Sequence, residues 1–380
     1  MTLVIFLISV LFIIAATLSR KLDVAYSLVI GALGYGFFAL GVERFFYATL
    51  SAFNWPMAYV LASLVFAMAL GFLLKEEGQQ IASGLMSMGP RAAAFAIPAA
   101  IGLLPMPGGA YISAVVSDPL YNEMGLRSHE KTFINYFFRH IWIPVWPLFQ
   151  GVLITAAVLS VSVWQVVEWS WPATLFAVVA GLVIALPLVK GVDSRGSARD
   201  LVVLWPLAAV AVLSYLIPLP LAVALVYAAY IAVKKTPRAL VASSLKYALN
   251  GRILAIIVFS LVFAKYIEMS GLSAELARLL GNYVALAVFA IPFAIGLATG
   301  VEFTFAALAF PPVAPFIHGP ALALAFAGGF LGVMLSPAHS CLVLTREYYR
   351  SDIVLVYRLL AKASAVLMAL AAAYYLLVFY

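Results

Sequence analysis

Two ionisable side chains stand alone in long apolar surroundings. Arg139 is the only Asp, Glu, Lys or Arg between Thr132 and Val167, and Glu302 is the only one between Leu279 and Thr345. Each sits beside a point where a helix cannot run on. Arg139 and its neighbour His140 precede IPVWP, Ile143 to Pro147, and Glu302 follows Thr299-Gly300. A charge at mid-membrane costs about 2.5–3.5 kcal/mol on insertion scales, so an isolated one is functional by default. An arginine offers a planar fork of donors that matches a carboxylate or phosphate. His339, directly after the break LSPAH (Leu335 to His339), adds a hydrogen-bonding group or proton carrier. This is chemistry for binding rather than bond breaking. The sequence has no G-x-x-x-x-G-K-[ST], no H-E-x-x-H and no G-x-S-x-G, so the chain is not expected to be an enzyme. Its one cysteine, Cys341, leaves no disulfide framework and no Cys-based zinc site, and no metal is expected.

These residues belong to a chain that is 66% hydrophobic and 10% charged, with a mean hydropathy of +1.11. A soluble protein carries about 25% charge, and apolar runs near 20 residues recur from end to end, so the chain is an all-α polytopic membrane protein. The net charge of +7 is spread over short loops between apolar runs; that is a topology signature and not a nucleic-acid patch. Expected spans are Thr2–Ser19, Val24–Val42, Pro56–Leu74, Trp171–Val189, Ile253–Met269 and Ile353–Phe379, with two shorter ones sharing Leu201–Val233 around Pro218-Leu219-Pro220. Ile81 to Met88 and the basic stretch Lys234 to Arg252 have the pattern of interfacial helices.

Two nonapeptides give the organisation. FAIPAAIGL begins at Phe95 and FAIPFAIGL at Phe289; eight of nine positions agree at an offset of 289 − 95 = 194. A Gly-bearing interruption follows each, PMPGG and TGVEF. Such breaks survive in a membrane only when buried in protein or lining a polar cavity. The expected architecture is therefore two repeats, 1–190 and 201–380, joined by a cytoplasmic linker at 191–200. Each repeat holds a re-entrant hairpin (91–122, 283–318), a broken helix (131–162, 320–345) and four further spans. Five spans per repeat is odd, so the two insert upside down relative to each other, as in many secondary transporters. With both termini outside, sixteen Lys and Arg fall in inner loops and three (Arg44, Lys265, Arg278) in outer ones, which sets the orientation.

The stretches LPMPGGAYISAVVSDPL, FINYFFRHIW and FLGVMLSPAHSCLVLTREYY resemble the signature segments of an uncharacterised prokaryotic membrane protein family, a domain of unknown function grouped with the ion-transporter superfamily. Dicarboxylate/sodium symporters and gluconate permeases are its distant relatives. Where those carry Ser-Asn-Thr triplets at the hairpin tips, this chain reads PMPGG and TGVEF. The resemblance implies an elevator-type transporter of the cytoplasmic membrane, with a dimeric scaffold and a mobile domain of hairpins and broken helices.

Together these readings lead to a secondary transporter of a small organic anion coupled to Na⁺ or H⁺, with no other cofactor, acting in the lipid bilayer as a homodimer. Substrate is expected at Arg139, His140 and His339, with the backbone of Gly108, Gly109, Thr299 and Gly300. The coupling ion is expected at Glu302, with Pro105, Pro144, Ser113 and Ser336 as further oxygen donors. An ion channel, or a carrier of a zwitterionic, amino-acid-like substrate, are the alternatives.

Overall fold

The structure, a computed structural model, describes residues 1–19, 22–104, 106, 108–193 and 195–379, and among them there is no strand. The first half runs α1 (Thr2–Leu18), α2 (Val24–Leu40), α3 (Val42–Ala52), α4 (Trp55–Leu74) and α5 (Gly78–Met86). It continues through α6 (Pro90–Gly102), α7 (Gly109–Glu123), α8 (Ser128–His140), α9 (Gln150–Leu159) and α10 (Val163–Ala185). The second half runs α11 (Trp205–Leu216), α12 (Leu219–Lys234), α13 (Arg238–Ala248), α14 (Gly251–Ser270) and α15 (Leu272–Leu280). After α16 (Val284–Thr299) comes a π-helical turn, Phe305–Ala309, leading into α17 (Phe310–Val313). The chain ends with α18 (Ala321–Leu335), α19 (Ser340–Tyr349) and α20 (Ile353–Phe379).

Among the described residues, five helical stretches are long and apolar enough to cross a membrane, or up to seven if each bent pair counts as one span. Thr2–Leu18 and Val24–Leu40, at 17 residues, and Leu219–Lys234, at 16, are apolar but shorter. Exposed Leu7, Leu11, Val212, Leu225 and Leu377 would be a liability in water and are ordinary against lipid. The chain is a multi-pass membrane protein.

Local chemistry explains where helices begin and end. Asp23 and Asn54 cap α2 and α4 by accepting from the amides of Ala25 and Met57, and Asn250 caps α14 through Arg252 and Ile253, each satisfying an orphan amide. Pro218 ends the α11 run, dividing the long apolar stretch as expected. Two elements were not foreseen. α3 and α15 are short amphipathic helices in stretches expected to be outer loops. The first broken helix also opens wider than its Ile143–Pro147 motif, between His140 and Gln150.

The halves interlock: α14 packs on α2, α12 and α13 on α4, and α10 on both α18 and α20. Within each half the incoming hairpin arm lies against the broken helix, α6 on α8 and α16 on α18. Glycine lets these backbones meet. A Cβ on Gly102 would strike the Arg139 carbonyl, and one on Gly328 or Gly332 would strike the carbonyls of Phe289 or Phe293. Gly332→Leu is therefore expected to force α16 and α18 apart and destabilise by about 1–3 kcal/mol, read as a lower melting temperature in detergent. Gly34→Ala, with no atom within 4 Å of the new Cβ, should leave the melt unchanged or slightly raised.

Candidate functional site

The two hairpin tips and the two helix breaks meet around one cavity of about 680 Å³. Gly108, at φ +76, is the N-cap of α7, and Gly300, at φ +64, closes α16; both lie in the left-handed region that glycine occupies without strain. Gly300 is pressed onto the second break. A Cβ there would come within 2.7 Å of the His339 amide nitrogen and 2.8 Å of Ser336 Oγ. Behind the tip, Thr304 Oγ1 lies 2.7 Å from the Val301 carbonyl and 2.5 Å from Thr299 Oγ1. The tip position Pro105, like Pro107, lies outside the described residues.

Four half-helices start at the cavity wall. Gly108 precedes α7, Phe149 and Gln150 begin α9, His339 and Ser340 begin α19, and Val301 to Phe303 lead into the π turn; all line the cavity. Each N-terminus presents unpaired amides and the positive end of a dipole, so together they favour an anion. Asp23, Asn250 and Arg252, at the starts of α2 and α14, stand at its rim.

Arg139 faces this space from the last turn of α8, 5% exposed. Among the described residues its buried Nε has no hydrogen-bond partner, and Nη1 makes only long contacts, 3.5 Å to His140 Nε2 and 3.8 Å to Cys341 Sγ. The guanidinium lies over Gly109, where any Cβ would run into Nη2. Among the described residues neither Arg139 nor Glu302 takes part in an ion pair. A guanidinium and a carboxyl thus share a cavity without a contact ion pair between them.

Of the expected site residues, Gly108, Arg139, Gly300, Glu302 and His339 line the cavity. Gly109 and His140 lie just behind it, the His140 Nδ1–H donating to the Tyr136 carbonyl at 2.6 Å. Thr299, Ser113, Pro144 and Ser336 are engaged elsewhere. Ser113 Oγ donates to Asn135 Oδ1 at 2.6 Å, and the Pro144 carbonyl accepts from Ser170 Oγ at 2.5 Å. Thr299 Oγ1 also sits 2.8 Å from the Ile295 carbonyl, and Ser336 Oγ accepts from the Ala338 amide at 3.3 Å. Gln150, Asn250 and Cys341 line the cavity without having been singled out. Gln150 alone left a signal, as a side-chain amide inside an otherwise apolar run.

Several carbonyls at the breaks have side-chain hydroxyl donors. Tyr136 OH reaches the carbonyls of Val333 and Met334 at 3.4 and 3.2 Å, and Tyr357 OH reaches that of Leu335 at 3.2 Å. At the first break Thr174 Oγ1 donates to the Ile141 carbonyl at 3.1 Å. Tyr136→Phe should strip the second break of this donor and lower stability by about 1–3 kcal/mol. Thermal melts of the variant and of Tyr357→Phe test this; unchanged melting in both would show the hydroxyls to be dispensable.

A solved structure similar to this chain is that of the YdaH transporter of Alcanivorax borkumensis, whose topology is described as unusual. It superposes with a TM-score of 0.61 over 88% of this chain and 89% of that one, at 13% identity, a likeness of fold. No curated protein matches. The family is shown by sequence over nearly the whole length: residues 2–378 match the model described as protein of unknown function (DUF401), and the chain belongs to that family.

Proposed function

We propose that this protein is a secondary active transporter that moves a small organic anion, a carboxylate, across the cytoplasmic membrane in exchange for the free energy of an H⁺ or Na⁺ gradient. One observation carries the reading: a cavity ringed by four half-helix N-termini holds a buried arginine with unused donors and a carboxylate that is not paired to it. Arg139 would receive the substrate carboxylate, and Glu302 would carry the coupling ion. H⁺ is favoured over Na⁺ because the carbonyls of Pro144, Met334 and Leu335 at the breaks already accept from protein hydroxyls. Since Glu302 faces the same cavity as Arg139, a zwitterion with an ammonium for Glu302 is the second reading.

The order of elements supports an inverted repeat. In both halves two helices precede a short amphipathic one (α3, α13), then come a long helix, a second short one (α5, α15), a hairpin, a broken helix and a final long span. An elevator-type movement of hairpins and broken helices against a homodimeric scaffold, and membership of the ion-transporter superfamily, rest on the resemblance together with this order. With both termini outside, the rim residues Asp23, Asn250 and Arg252 lie on the side richest in Lys and Arg. The cavity would then be open to the cytoplasm.

Reconstituted into proteoliposomes, Arg139→Ala should lose about a hundredfold in anion uptake, because a buried charge-assisted contact is worth about 2–5 kcal/mol. Glu302→Gln should retain exchange of substrate for substrate while losing acceleration by an inward pH gradient. Wild-type uptake in both variants would refute the assignment, and preferential competition by amino acids over carboxylates would select the zwitterionic reading.

A further inference from the structure

The cavity wall carries a second donor set that anion binding does not use. His140, His339 and Cys341 come together with one ligand atom each, all within 4.8 Å of one another. The two imidazoles pack edge to face, centroids 4.9 Å apart at 87°. His140 is fully buried and its Nδ1–H is spent on the Tyr136 carbonyl. That bond fixes the tautomer and turns the lone pair of Nε2 toward the cluster, the outer-shell arrangement of metal-binding histidines. His339 is 3% exposed, and its ring makes no hydrogen bond of good geometry among the described residues, its only near polar neighbour there being the Gly300 backbone. A buried imidazole so weakly held is costly unless something else comes to it.

We infer that His140, His339 and Cys341 form a binding site for a borderline-soft cation of the Zn²⁺ class, its fourth coordination position open to the cavity. Two imidazoles and a thiolate suit this class, whereas Mg²⁺ and Ca²⁺ want oxygen. Ligand bonds of about 2.0–2.3 Å in a tetrahedron place donor atoms roughly 3.5 Å apart, so the cluster has to contract by about 1 Å, within reach of side-chain rotation. On binding, the Cys341 thiol loses its proton to solvent and the thiolate supplies the metal–sulfur bond. The group now beside these donors is Arg139, held there by two long contacts, and the cation displaces it. The metal would tie the end of α8 to the start of α19 and so join the two helix breaks. From sequence, the single cysteine leaves no Cys-based zinc site and no metal is expected; the proposed site departs from that expectation, because residues about two hundred positions apart meet only in the fold.

Cys341 is the only cysteine, so thiol labelling of the full-length protein reports on it alone. In detergent or nanodiscs, micromolar free Zn²⁺ is expected to slow maleimide labelling about tenfold at ten times its dissociation constant. EDTA should restore the rate, and Mg²⁺ should have no effect. Replacing Zn²⁺ by Co²⁺ gives a readout without labelling: visible bands of tetrahedral cobalt with a thiolate charge-transfer band, lost in Cys341→Ser. His140→Gln combined with His339→Gln should abolish protection while the metal-free melt shows the fold intact. The inference is overturned if Zn²⁺ does not protect and Co²⁺ gives no thiolate band, or if protection survives loss of both histidines. Neither readout involves transport, so the anion-carrier reading stands or falls separately.

Discussion

A backbone amide or carbonyl inside a hydrocarbon layer must find a partner within the protein, and the fold is arranged around that requirement at four interrupted helices. At the second break, Tyr136 and Tyr357 supply hydroxyls to the carbonyls of Val333, Met334 and Leu335. At the first, Ser170 and Thr174 of α10 do the same for Pro144 and Ile141. These carbonyls at the α8 and α18 breaks are thereby satisfied by side chains of other helices. The amide ends of α7, α9, α19 and the π turn instead face one shared space. A cavity lined by amide ends follows from satisfying carbonyls of the broken backbone within the protein.

The nonapeptide is duplicated, but the charged residues near it are not. The 194-residue offset between the nonapeptides carries Glu302 onto Gly108 and Arg139 onto Val333. Small residues at the contact between hairpin arm and broken helix recur in both halves, as Gly102 against Arg139 and Gly332 against Phe293. Close packing thus recurs in both halves, while Arg139 and Glu302 each occur once. Breaks from both halves line the cavity, and these two residues add a guanidinium and a carboxyl to its wall.

Much of this was legible in the sequence because charge-free runs, prolines and a near-identical nonapeptide are local signals. The hairpin arms, both breaks and the convergence of Gly108, Arg139, Gly300, Glu302 and His339 were read from them. α3 and α15 escaped because each contains charges (Glu43 and Arg44, Glu275 and Arg278), so a search for apolar runs passes over them. The first break proved wider than its Pro144–Pro147 core because the chain leaves helical geometry right after His140, which no single residue type announces. The grouping of His140 with His339 and Cys341 was invisible for a different reason: about two hundred residues separate them, and only the packing of α8 on α19 closes the gap.

The placement of the two charges shows how a membrane interior can keep them unpaired. Arg139 occupies the last turn of α8, where the negative end of the helix dipole favours a cation. Glu302 lies just before the helical turn that starts at Thr304, where the positive end favours an anion. Such placement is worth up to about 2 kcal/mol in partly buried geometry, comparable with the cost of holding a charge at mid-membrane on insertion scales. Each group thus sits at the favourable end of its own half-helix, without a contact ion pair between them among the described residues. A salt bridge between them would have met the same need, but it would have consumed the donors and lone pairs that a ligand requires. The helix breaks therefore do two things at once: they open the cavity, and they supply the dipole ends that let its charged residues wait there unpaired.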